Sequence, residues 1–105
     1  MTENINYNEV GAVIRVNLKE DITLSTPTLI IEPEYGDKKE ITDGVTIPDI
    51  DYITDDETFC AGEYIEYSTK DGDIDYVGKW RKKASLYFDS DNVKQSDYQR
   101  FYVLP

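Results

Sequence analysis

The sequence predicts an all-β chain folded as a β-sandwich of about seven strands, mostly antiparallel. Three observations predict it. Short segments rich in β-branched and aromatic residues alternate apolar with polar at period two, the signature of half-buried strands. Turn pairs such as Gly36-Asp37, Asp43-Gly44 and Asp71-Gly72 punctuate them. No helical 3.6-residue period runs through the chain, so at most one helical turn is expected, near Thr69 to Val77.

The elements follow in order. Met1 to Glu9 is polar and aperiodic, and reads as a flexible N-terminal arm or as a strand that orders on a partner. From Val10 to Leu18, Ala12, Ile14, Val16 and Leu18 alternate with Val13, Arg15 and Asn17, which makes a half-buried strand. Thr28 to Glu32 sets Leu29 and Ile31 against Ile30, and Pro33 is expected to end that strand because proline cannot donate to a ladder. Short strands are expected near Glu40 to Thr42 and Val45 to Ile47, the latter closed by Pro48. Residues 49–57 read as an acidic surface loop around a brief extended piece at Tyr52-Ile53. Glu63 to Ser68 alternates again.

Lys79 to Phe88 is the longest expected strand. Trp80, Ala84, Leu86 and Phe88 share one face; Lys79, Arg81, Lys83, Ser85 and Tyr87 share the other. Alternation puts Lys82 with Trp80, so either its stem is buried and its amine snorkels, or a bulge re-phases the strand. Asp89-Ser90-Asp91-Asn92 is a hairpin tip, and Tyr98 to Leu104 closes the chain with Phe101 and Val103 opposed to Arg100 and Tyr102. These strands and turns fit a sandwich of the immunoglobulin-like kind. The expected organisation is an arm at 1–9 and one domain at 10–105. Its core is expected to hold Ile14, Val16, Leu29, Ile31, Ile65, Trp80, Leu86 and Phe101.

Composition narrows the function. The 105 residues carry 22 acids and 11 bases, a net charge of -11 that opposes binding to a phosphate backbone or an anionic membrane. Nine tyrosines against three phenylalanines suit half-wet sheet faces and interfaces. One cysteine, Cys60, cannot form an internal disulfide and reads as a small apolar filler. Neither a secretory signal nor a spanning apolar run is evident, which points to synthesis in a reducing cytoplasm.

Catalytic chemistry finds little footing. Histidine is absent, so no Ser-His-Asp or Cys-His arrangement exists in the chain. The acids flanking Cys60 oppose thiolate formation. Asp71, Asp73 and Asp75 resemble the start of a calcium loop, but the sixth and twelfth positions hold Tyr76 and Lys82 where glycine and glutamate are needed. Acidic turn chemistry is the better reading. Asp55, Asp56 and Glu57 show neither the separation nor the cleft of a glycosidase pair. No catalytic residue, metal ligand or cofactor is assigned. The basic run Lys79, Arg81, Lys82 and Lys83 is expected to pair across the sheet with Glu63 or Glu66, or to meet the acidic surface of a neighbouring copy.

Three stretches, VGAVIRVNL at 10–18, TLIIEPEYG at 28–36 and YSTKDGDIDYVGKW at 67–80, followed by an alternating strand and a terminal edge at 98–104, resemble an immunoglobulin-like structural module of tailed-phage virion proteins. The pattern is similar to the amino-terminal domain of siphophage upper-baseplate proteins. Lys82 stands where the module is usually apolar, and 49–57 lacks a counterpart. The resemblance implies a non-enzymatic virion component of tail, neck or baseplate, present in many copies and docked on portal, tail, baseplate or capsid proteins. It would be made in the host cytoplasm. A capsid decoration protein and a carbohydrate-binding adhesin module are the alternatives. Tyr64, Tyr87, Tyr98, Arg100 and Tyr102 are the interface candidates; the competing reading has these rings covering the sheet of a monomer. The terminal strand is a candidate for strand addition to a neighbour.

Overall fold

A computed structural model of the chain describes residues 3–105. The described residues form ten strands and no helix. They are β1 (Glu3–Asn6), β2 (Val13–Asn17), β3 (Thr26–Pro33), β4 (Lys39–Ile41), β5 (Tyr52–Ile53), β6 (Thr58–Phe59), β7 (Tyr64–Ser68), β8 (Gly78–Asp89), β9 (Asn92–Gln95) and β10 (Gln99–Leu104). The all-β class stands, with ten strands in place of about seven. The Thr69–Val77 stretch contains turns and no helix, and Val45 to Ile47 contributes a single bridge, Thr46 to Glu66. Among the described residues no helix is long and apolar enough to cross a membrane.

One six-stranded sheet runs in the order β1-β10-β8-β3-β4, with β9 also pairing β8. β8 is long enough to serve two neighbours on one side. Its first half pairs β10 and its second half pairs β9, while β3 runs along the other side. A second sheet pairs β2 with β7, and β5–β6 form a small hairpin. The apolar faces of the two larger sheets meet in one core. Ile14, Val16 and Ile65 from one sheet face Leu29, Ile31, Trp80, Leu86 and Phe101 from the other, each 2% exposed or less. Trp80 lies 5.7 Å from Phe101 between ring centroids, and its indole N–H donates to the Tyr76 carbonyl at 2.9 Å. That bond satisfies the one polar atom the indole would otherwise bury dry.

Several local expectations are corrected. Residues 3–9 are not a free arm: β1 pairs in parallel with β10 and buries Ile5, while residues 1–2 lie outside the described residues. β10 is consequently flanked on both sides, by β1 and β8, and has no open edge to offer a neighbour's sheet. β3 ends at Pro33, as expected, but it begins at Thr26 and so takes in a second proline, Pro27. Glu34 N–H donates to the Lys79 carbonyl on β8, so by alternation Pro27 and Pro33 turn their missing N–H groups toward the β4 side. β4 pairs only Leu29 to Ile31, so neither proline removes a ladder bond. Lys82 keeps strict register with Gln99 and Ile31, so no bulge re-phases the strand. Its side chain is 3% exposed, with Nζ 6.0 Å from the Phe101 ring centroid, so its amine does not reach open water. Cys60 is exposed, not a core filler.

Gly78 opens β8 at φ +118°, a conformation that a Cβ would strain, and the chain swings there from the turn at 71–74 into the sheet.

Candidate functional site

The outer face of the six-stranded sheet is built by parity. Directly opposed residues share a face, so pairing Arg100 with Arg81, Tyr102 with Lys79, Glu32 with Arg81 and Val93 with Tyr87 collects all of them on one surface. Lys83 joins them opposite Ile30, which is 5% exposed and packs on this outer side, apart from the core cluster. Four of the five interface candidates meet here. Tyr87 is 50% exposed, Tyr98 is 38% exposed, Arg100 is exposed and Tyr102 is half-buried.

The charges on this face are ordered. Arg81 Nε donates to Glu32 Oε1 at 2.7 Å, and a second guanidinium nitrogen closes on the same oxygen. The Arg81 guanidinium sits 3.9 Å from the Tyr98 ring centroid and Lys83 Nζ sits 4.5 Å from it. Lys83 Nζ also donates to Gln95 Oε1 at 2.8 Å. The expected partners of the basic strand are corrected: Glu66 belongs to β7 in the other sheet and pairs with Arg15 at 2.9 Å, and Glu63 lies just before β7. Beside Arg81, a depression of about 430 Å³ is bordered by Glu32, Glu34, Lys79 and Arg100.

Tyr64 does not belong to this surface. It is 1% exposed, packs edge-on against Phe59 at 5.4 Å, and its hydroxyl donates to the Ile50 carbonyl at 3.0 Å. The cause is the β5–β6 hairpin, which lies over the outer side of the β2–β7 sheet. Arg15 stacks on Tyr52 at 3.6 Å, and Asn17 Nδ2 donates to Glu57 Oε2 and to the Thr58 carbonyl. A groove of about 640 Å³ separates this hairpin from the neighbouring β1 and β2 segments. Burial pushes the Tyr64 hydroxyl above its ordinary pKa, and the Glu66 carboxylate adds to the effect.

The acidic motifs do not converge. Asp73 accepts from the Tyr67 hydroxyl at 2.5 Å and from the Lys70 N–H at 2.7 Å, while Asp75 pairs with Lys39 at 3.0 Å. Among the described residues no cluster of three or more His, Cys, Asp or Glu side chains could hold a metal ion. The arrangement suits recognition: paired charges and amphipathic rings on a solvent-facing sheet surface.

The chain is similar to the baseplate protein gp16 of Lactococcus phage p2 and to that of Lactococcus phage SK1. Identity is 29% over 92 residues in each case, covering 83% of this chain and 24% of the relative. The chain thus spans only 24% of the length of the curated relatives it matches. Neither a family model nor a solved structure matches it. The similarity agrees with the coarser part of the resemblance seen in the sequence, that to phage virion proteins.

Proposed function

We propose that the chain is a non-enzymatic structural component of a phage virion, in the tail or baseplate, that docks neighbouring virion proteins in a multicopy assembly. The observation that carries this reading is the outer sheet face, where Tyr87, Tyr98, Tyr102 and Arg100 surround an ordered row of cations. Tyrosine and arginine are the residues that interfaces favour. The likeness to two phage baseplate proteins gives that face a class of partner. The grouping with immunoglobulin-like modules rests on the sequence resemblance and on the two facing sheets. Synthesis in the host cytoplasm before incorporation into particles belongs to the same proposal.

The carbohydrate-binding alternative draws less support. Sugar recognition favours an open aromatic platform, and the Tyr98 ring is already engaged by Arg81 and Lys83. The test is proteomics and cross-linking of purified particles of the phage that encodes the chain. The chain is expected among the particle proteins, with Lys79 and Lys83 cross-linked to another component. Its absence from intact particles would overturn the reading.

A further inference from the structure

The two layers of the sandwich are unequal. β2 lies across the core from β8, and β7 lies across from β3. β10 and β1 continue the larger sheet beyond β8, and among the described residues no strand of the smaller sheet continues beyond β2 to cover them. The groove of about 640 Å³ beside the β5–β6 hairpin occupies that place. Its volume falls within the range of binding clefts. Ile5 of β1 lines it from one sheet, Val13 and Arg15 of β2 line it from the other, and the hairpin forms a wall.

Hydrogen-bond parity leaves β2 open on this side. The Ala12 carbonyl and the Leu18 N–H bond across to Thr69 and Glu63, so Ile14 and Val16 also turn their N–H and C=O groups toward β7. Those of Val13 and Arg15 point the other way, and among the described residues no second strand pairs with them. Neighbouring edges are closed from within. On β1, Asn6 exchanges two bonds with Glu9: its N–H donates to Oε1 and its carbonyl accepts from the Glu9 N–H, each at 3.0 Å. On β7, Glu66 exchanges both backbone bonds with Thr46 at 2.9 Å. An open strand edge is a template for another chain.

We propose that β2 accepts an extended, lysine- or arginine-bearing segment of a neighbouring virion protein as a third strand, laid in this groove. The proposal rests on the docking role proposed for the chain and names the chemistry of the segment. The charge of the groove selects the sign. Glu9, Asp55, Asp56 and Glu57 line it against a single base among the described residues, Arg15. That base is already engaged: Glu66 holds it at 2.9 Å and it stacks on Tyr52 at 3.6 Å. The net charge of -11 draws in a basic segment at longer range and repels a second copy. Side chains of an added strand alternate between the two faces of the sheet. One set turns inward to Ile5 and Ala12, and the other turns outward to the acids at 55–57. The fitting segment therefore alternates apolar with basic residues. Main-chain bonds supply the affinity and the alternation supplies the selectivity.

The probe is a peptide of about seven residues alternating lysine with valine, titrated into the full chain at low salt. Binding is expected below ~1 mM, with slowed hydrogen exchange at the Val13 and Arg15 amides. Two control peptides are each expected to bind at least about tenfold more weakly. One replaces lysine with glutamate; the other is methylated at every backbone nitrogen and cannot donate to the strand. Asp55→Lys, an exposed change, is expected to weaken the lysine peptide at least about threefold, with thermal melts checking the fold. Absence of binding at ~1 mM, equal binding of the methylated peptide, or unchanged exchange at both amides overturns strand addition. Equal binding of the glutamate peptide, or of the lysine peptide by Asp55→Lys, overturns the basic partner. Should the peptide fail while the chain still cross-links to other proteins in particles, strand addition falls and the docking role stands. Should it bind a chain that particles lack, the edge site stands and its virion partner falls.

Discussion

Tyr67 shows how one side chain ties surface chemistry to the core. Its ring is 3% exposed among the core residues, and its hydroxyl donates to Asp73, which also accepts from the Lys70 N–H. Burial, and then the bond to Asp73, push its pKa well above the ordinary tyrosine value; Tyr64 is shifted the same way. Above pH ~10 the unfolded chain releases these protons and the folded chain keeps them, so stability is full below that pH and falls as pH rises. Denaturant midpoints are expected to drop between about pH 10 and 11.5, and Tyr67→Phe is expected to make the drop shallower. At neutral pH the same substitution should cost about 0.5–1.5 kcal/mol, the usual worth of one hydrogen bond. Thr69 is a comparable single point of attachment. Its hydroxyl donates to the Glu9 carbonyl at 2.8 Å and accepts from the Ala12 N–H at 3.0 Å. Thr69→Val leaves both backbone groups unpaired next to the core, and chemical denaturation should register a loss of about 1–3 kcal/mol. An unchanged midpoint would mean that water replaces both bonds.

At the scale of elements, the strands with an alternating apolar face were legible in the sequence, and the others were not. β2, β3, β7, β8 and β10 each place two or more large side chains in the core, and period two marks them. Parity along β8 and β10 alone puts Tyr87, Arg100 and Tyr102 on their observed face, with no need of a partner strand. β9 reads NVKQ with every residue exposed, so only its ladder with β8 defines it. β1 reads ENIN and buries Ile5 through a parallel pairing with the far end of the chain. Such non-local pairing leaves no local pattern. Tyr64 was misplaced for a related reason: its strand is half-buried by period, but the hairpin adds a layer over its outer side that no periodicity records. The β1 assignment has a direct consequence. Ile5→Ala should destabilise the fold by about 2–5 kcal/mol in denaturant titration, the range for truncating a buried isoleucine. A free arm would tolerate the change with no shift in midpoint.

At the scale of the whole molecule, net charge works against the fold. The 22 acids and 11 bases leave a net repulsion that the compact state must carry and the expanded chain relaxes. Ion pairs among the described residues that offset it include exposed ones such as Lys70–Asp43 and Lys38–Glu40, and pairs of that kind contribute ~0–1 kcal/mol each. Added salt screens the long-range repulsion as well as these short contacts, and with acids twice as numerous as bases the repulsion dominates. Raising salt from about 10 mM to about 150 mM should therefore lift the melting temperature, by roughly 4–8 °C for each kcal/mol of repulsion removed. Melting curves measured across one salt series would register the effect. If the melting temperature fell with salt, local ion pairs would outweigh net repulsion in holding this sandwich, and the acidic surface would need another explanation.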